Sequence, residues 1–193
     1  MRVVVSGLKG GVGKTTTSVH LACAIARRDP RRRVLLVDAD RQRQSFSWAH
    51  RADAVGTPLP VTVAPWGEVD EAGYDHVVID TPPYDELALR MVAPGGGLAL
   101  LPVAPSLLEA DRVRDTLSKL AEWDAGGLTV RVVLTRVRAR TKSPGALREM
   151  LTGHGMTVCA TTIPLRESFA LSYGSVPKSS EYDELAKELS RAR

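Results

Sequence analysis

The chain has 193 residues, 44% of them hydrophobic, and a formal net charge of +4 at pH 7. That length suits one α/β domain with a substantial core, and so small a charge excludes a uniformly basic surface, so the placement of charge matters more than its total. Two isolated cysteines, Cys23 and Cys159, exclude a disulfide scaffold or a Cys/His zinc site and point to a reduced, cytoplasmic setting. The apolar run in residues 1–7 is too short for a signal peptide, and no stretch approaches the ~20 apolar residues that cross a bilayer.

In chain order, residues 3–6 read as a buried strand. Lys9-Gly10-Gly11-Val12-Gly13-Lys14-Thr15-Thr16 follows, and residues 17–26 read as a helix with Val19, Ala22, Cys23 and Ala26 on one face. A glycine-rich turn between strand and helix gathers backbone N–H groups at the positive end of the helix dipole, which is a phosphate-binding arrangement. Lys14 then reaches the terminal phosphates, and the Thr15 hydroxyl offers a ligand to Mg²⁺. The general pattern opens with a glycine where Leu8 stands here, yet Gly10, Gly11 and Gly13 still free the backbone.

Asp29-Pro30 stops the first helix. Further strands are expected at residues 34–38, 61–64, 76–80, 98–103, 130–135 and 158–163. Ser106-Leu107-Leu108-Glu109 is a capping box that opens a helix with Ala110, Val113, Leu117, Leu120 and Ala121 on one face. Ser143-Pro144 supplies a cap and an N1 proline for another. The last helix covers about residues 181–191, and only Gly95-Gly96-Gly97 is locally flexible. Continuous apolar strands alternating with helices imply a three-layer α/β fold: a mostly parallel sheet of about seven strands, helices on both faces, one domain over residues 1–193. Ligands of such a sheet sit at the carboxyl ends of the strands. Two strands end there in carboxylates, Asp38-Ala39-Asp40 and Asp80-Thr81-Pro82-Pro83, which can hold Mg²⁺ directly or through water.

Taken together, K-G-G-V-G-K-T-T, D-x-D and D-x-P-P resemble the deviant phosphate loop and switch segments of the ParA/MinD ATPases, a P-loop NTPase family. The resemblance covers nearly the whole chain in family order, through the Thr135 strand and the Ile163-Pro164 turn, and fits short ParA-type partition ATPases best. It implies ATP hydrolysis to ADP and phosphate with Mg²⁺. Gly10, Gly11, Val12, Gly13, Lys14, Thr15 and Thr16 would cradle the phosphates, and Lys9 would reach across an ATP-bound homodimer to the partner's nucleotide. A cation delivered in trans stabilises charge that spreads over the phosphoryl oxygens. Asp40 would orient the attacking water, Thr15 and Asp38 would support the magnesium, and Asp80 would bind it through water. Adenine would pack near Thr135-Arg136 and the segment Ile163-Pro164-Leu165-Arg166, with Arg136 and Pro164 in contact. Arg41-Gln42 replaces the family's Pro-Gln. A guanine-reading N/T-K-x-D element is missing from the Thr135 strand end and from Thr141-Lys142-Ser143-Pro144, which favours ATP.

Such proteins bind DNA without sequence preference and are reset by a ParB-like centromere-binding or cargo-adaptor partner. Between Ala125 and Arg148 there are only basic charges, and Arg136, Arg138, Arg140 and Lys142 would share one side of an extended segment. A second run, Arg27-Arg28 with Arg31-Arg32-Arg33, also satisfies the carboxyl end of the first helix. Two other roles stay open: a MinD-like membrane-cycling ATPase, for which Tyr182, Leu185, Ala186 and Leu189 offer only a short apolar stripe, and a small-molecule ATP-dependent enzyme. No stable membrane association is expected.

Overall fold

The computed structural model describes residues 1–7, 10–83, 96–106 and 128–191. All seven expected strands are present: β1 (Arg2–Val5), β2 (Val34–Asp38), β3 (Thr62–Pro65), β4 (His76–Asp80), β5 (Gly97–Val103), β6 (Leu128–Val137) and β7 (Val158–Pro164). They form one sheet in the order β3-β2-β4-β1-β5-β6-β7, and every pairing is parallel. The described helices are α1 (Lys14–Arg28), α2 (Gln44–Ala54), α3 (Ser143–Gly153), α4 (Glu167–Leu171) and α5 (Ser180–Ser190).

Alternation along the strands separates the two faces. Val3 and Val5 join Leu36, Leu100 and Val133 on one face, where α1, α2 and α5 pack through Leu21, Trp48 and Leu185. Val4, Leu35 and Ile79 line the other face, which α3 covers toward β6 through Leu147 and Leu151. Helix α5 is tied down firmly. Tyr182, Leu185, Ala186 and Leu189 are all at most 2% exposed, and full burial of such a side chain contributes roughly 1.5–3 kcal/mol. Both cysteines are buried.

Several expectations need correction. Helix α2 was not expected; its narrow buried stripe, Ser45, Trp48 and Ala52, sits among polar neighbours. At α3 the N-cap is Lys142, not Ser143, and Pro144 sits in the first turn, where a missing N–H removes no helical bond. Gly97 belongs to β5. A Cβ there would lie 2.5 Å from the Arg2 carbonyl oxygen, so close strand packing requires the glycine. The segment after β6 is not extended. Arg140 takes φ 59°, the Thr141 hydroxyl donates to Arg138 O at 2.9 Å, and Lys142 already has helical torsions. Arg136 already takes φ 54°, so the alternation that would align four cations is broken from Arg136 onward. Lys9, and residues 107–121 of the helix expected after the Ser106 cap, lie outside the described residues.

Candidate nucleotide site

β1 is the central strand, flanked by β4 and β5, so the loop that follows it opens at the middle of the carboxyl edge. Gly11 and Gly13 hold φ 76° and 91°, left-handed values that glycine adopts without strain. Gly13 caps α1 and accepts the Thr17 amide at 2.8 Å.

Asp80 is next to the loop by register: it pairs with Val5 across β1–β4 and with Asp38 across β2–β4. Its carboxylate is fully buried. Ser18 Oγ donates to it at 3.0 Å and Ser45 Oγ at 2.6 Å. Desolvation pushes the pKa of Asp80 up to about 6, against the opposing hydrogen bonds from Ser45, Thr15 and Ser18. Asp38 is equally buried and accepts the amides of Asp40 and Phe46 at 3.0 and 2.9 Å. Burial raises its pKa as well. Asp40 accepts the Gln42 amide at 2.8 Å and so shapes its own loop. Lys14 is buried; desolvation lowers its pKa, and the charges of Asp80 and Asp40 act in the opposite direction.

The structure thus brings Lys14, Thr15, Asp38, Asp40 and Asp80 together at one end of the sheet. Ser18 and Ser45 were not singled out from sequence. Ser18 lies one helical turn after Lys14, a spacing that puts both on one side of α1; nothing in the sequence marks Ser45. Carboxylate and hydroxyl oxygens are hard donors suited to Mg²⁺, which usually takes one or two carboxylates and completes its shell with water and phosphate oxygens. A buried carboxylate that resists ionisation is stabilised by such a cation, so the donor set fits. Thr15, Asp38 and Asp80 would hold the ion, which would neutralise charge on the phosphate oxygens.

A cavity of about 260 Å³ adjoins the loop, lined by residues that include Gly13, Thr16, Thr135, Arg136, Pro164 and Tyr182. Both segments expected near adenine meet there. Tyr182 was expected only as packing; its hydroxyl lies 3.1 Å from Thr17 Oγ1 and ties α5 to this wall. A second cavity, about 490 Å³, opens on the other side of Gly10 and Gly11 and is lined by Pro105, Arg136, Arg138 and Thr141.

Residues 3–177 match the CobQ/CobB/MinD/ParA nucleotide binding domain. The chain belongs to this family. It is therefore a nucleotide-binding ATPase. It is 38% identical over 178 residues to the maintenance of carboxysome distribution protein A of Gloeobacter kilaueensis, covering 89% of this chain and 76% of that protein. The chromosome-partitioning ATPase Soj of Thermus thermophilus is 29% identical over 239 residues, covering 97% and 94%. Among solved structures, a putative plasmid partition protein of Borrelia burgdorferi bound to AMPPNP superposes with a TM-score of 0.76 at 15% identity, covering 98% and 96%. MinD of Aquifex aeolicus gives 0.76 at 18% identity, covering 99% and 95%. These two share the fold.

Proposed function

We propose that this family member is a positioning ATPase that dimerises around ATP, binds DNA without sequence preference, and hydrolyses ATP when a ParB-like or cargo-adaptor partner stimulates it. Lys14 draws the phosphates into the loop, Asp40 orients the attacking water, and Lys9 of each protomer completes the other's site. Asp38, held by two amides, fixes the loop that carries Asp40. The buried Lys14, beside two carboxylates, gains an anionic partner when phosphate enters.

One observation carries the DNA part. Arg138, Arg140 and Lys142 are exposed on the turn that leaves the nucleotide cavity, and no carboxylate pairs with them among the described residues. Cations held at a surface without a partner are available to phosphates. Arg136 is exposed too, but its guanidinium is engaged by the loop. The relatives named for chromosome partitioning and carboxysome distribution favour a positioning role over small-molecule chemistry. The stripe on α5 is spent on the core, which speaks against its use as a membrane anchor.

Co-sedimentation tests the reading. With ATP and Mg²⁺ at low salt, the protein should pellet with DNA of any sequence and not with anionic liposomes; with ADP it should stay in solution. Pelleting with liposomes alone would replace this reading with membrane cycling.

A further inference from the structure

Thr135 and Arg136 are expected beside adenine, but each side chain already has a partner in the loop. Thr135 Oγ1 donates to Val12 O at 2.9 Å, and Arg136 Nη1 donates to Gly11 O at 2.6 Å. Adjacent residues of a regular strand point to opposite faces. These two reach the same loop because β6 is irregular at this point. It advances from Leu134 to Val137 while β7 advances only from Thr162 to Pro164, one residue fewer. Arg136 also takes φ 54°, which costs a non-glycine residue about 1–2 kcal/mol. A bulge of this kind re-aims side chains, and backbone strain of this kind persists where the surroundings enforce it.

The consequence follows from peptide geometry. In a trans peptide the C=O and N–H point in opposite directions, and there is no cis bond among the described residues. The carbonyl of Gly11 shares its plane with the amide of Val12, and the carbonyl of Val12 with the amide of Gly13. Drawing both carbonyls toward β6 turns both amides away from it. Among the described residues those two amides donate to nothing. Successive N–H groups on one side form an anion-binding concavity.

We propose that Thr135 and Arg136 are positioning residues that latch the phosphate loop from behind, aiming the amides of Val12 and Gly13 at the phosphates before the nucleotide arrives. This rests on the reading of the loop as the phosphate site. Donors fixed in advance need no reorganisation on binding. Loss of one such bond should weaken phosphate affinity roughly 3- to 10-fold.

The test compares ATP with inorganic tripolyphosphate, which carries no base, by equilibrium titration of the full chain with Mg²⁺, well below the melting temperature. Thr135→Val keeps the shape and removes the hydroxyl. It should weaken both ligands by the same factor, and Thr135→Ser should restore both. Arg136→Lys keeps the charge but loses the planar reach, and should weaken both about 3-fold. If the valine variant weakens ATP and leaves tripolyphosphate unchanged, Thr135 is a base contact and the latch is wrong. If neither ligand changes, the carbonyl bonds are idle and the latch is equally wrong. Lys14→Ala separates the premise: retained affinity for both ligands in that variant would overturn the phosphate site itself, and the latch with it.

Discussion

Two basic segments look alike in the sequence and are used in opposite ways in the structure. In the first, Arg27 donates to Pro177 O and to Asp183, both at 2.7 Å. Arg32 pairs with Asp75 at 2.7 Å, Arg31 with Asp29 at 3.3 Å, and Arg33 lies 4.6 Å over the ring of Tyr74. These cations fasten the end of α1 to α5 and to the β2 and β4 approaches. In the second, Arg138, Arg140 and Lys142 stand on a turn beside the nucleotide cavity, and no carboxylate among the described residues pairs with them. Cations with internal partners hold the fold; cations without them are free for a ligand. A run of arginines therefore says little until its partners are known.

The largest test of that contrast acts through the nucleotide. If the second segment binds DNA only as part of an ATP-bound dimer, Lys14→Ala should abolish ATP binding and reduce DNA affinity more than about 100-fold, because a single patch lacks the second patch's effective concentration. Filter binding with ATP checks this; undiminished DNA affinity would uncouple the segment from the nucleotide. Next comes the segment itself. An Arg138/Arg140/Lys142 triple alanine variant should lose about tenfold or more in DNA affinity, and its log–log salt slope should flatten by about 0.9 for each DNA phosphate that is no longer neutralised. Unstimulated ATP turnover should stay near normal. An unchanged slope would move the DNA surface off this turn.

Sequence made the site's skeleton legible because its signals are local. A glycine loop between strand and helix, and carboxylates at strand ends, need only the order of residues along the chain. The strands were legible for the same reason: parallel strands covered on both faces are continuous apolar runs. What escaped depends on distant partners. Ser45 donates to Asp80, 35 positions away, and Thr135 to Val12, 123 away. The alternating basic row failed for a local reason that the sequence did not show, the left-handed torsions at Arg136 and Arg140. The arginines of the first segment were expected to satisfy the carboxyl end of the first helix; Asp183 and Asp75, the carboxylates that Arg27 and Arg32 meet, could not be read.

Substitution in the first segment should affect stability and spare DNA. Arg27→Ala removes two charge-assisted bonds from a pair that is partly exposed, 25% and 46% on its two side chains. The loss should be about 1 kcal/mol, a fall of about 2–4 °C in melting temperature for a chain of this size. DNA affinity with ATP should be unchanged. A tenfold loss of DNA binding without a fall in melting temperature would erase the distinction between the segments.

The smallest effect tests the outer pairs by pH. The Arg33 amide, and next the Arg32 guanidinium, hold the Asp75 carboxyl below its ordinary pKa. The Arg31 amide does the same for Asp29, with Arg31 and Arg32 adding their charges. A carboxyl whose pKa is depressed by folding stabilises the fold above its unfolded pKa, near 3.8, and that contribution is lost as pH falls through the lower, folded value. Arg32→Ala should therefore lower the melting temperature slightly at pH 6, and the gap to the wild type should close as the pH drops below about 3.8. Salt should narrow the gap in the same direction, because both pairs face solvent. A gap that persists undiminished in acid would mean that Arg32 acts through packing of its aliphatic stem. The first segment would then hold the fold by contact as well as by charge, while the second, with no carboxylate paired to it among the described residues, should show no such acid-dependent gap on Arg140→Ala.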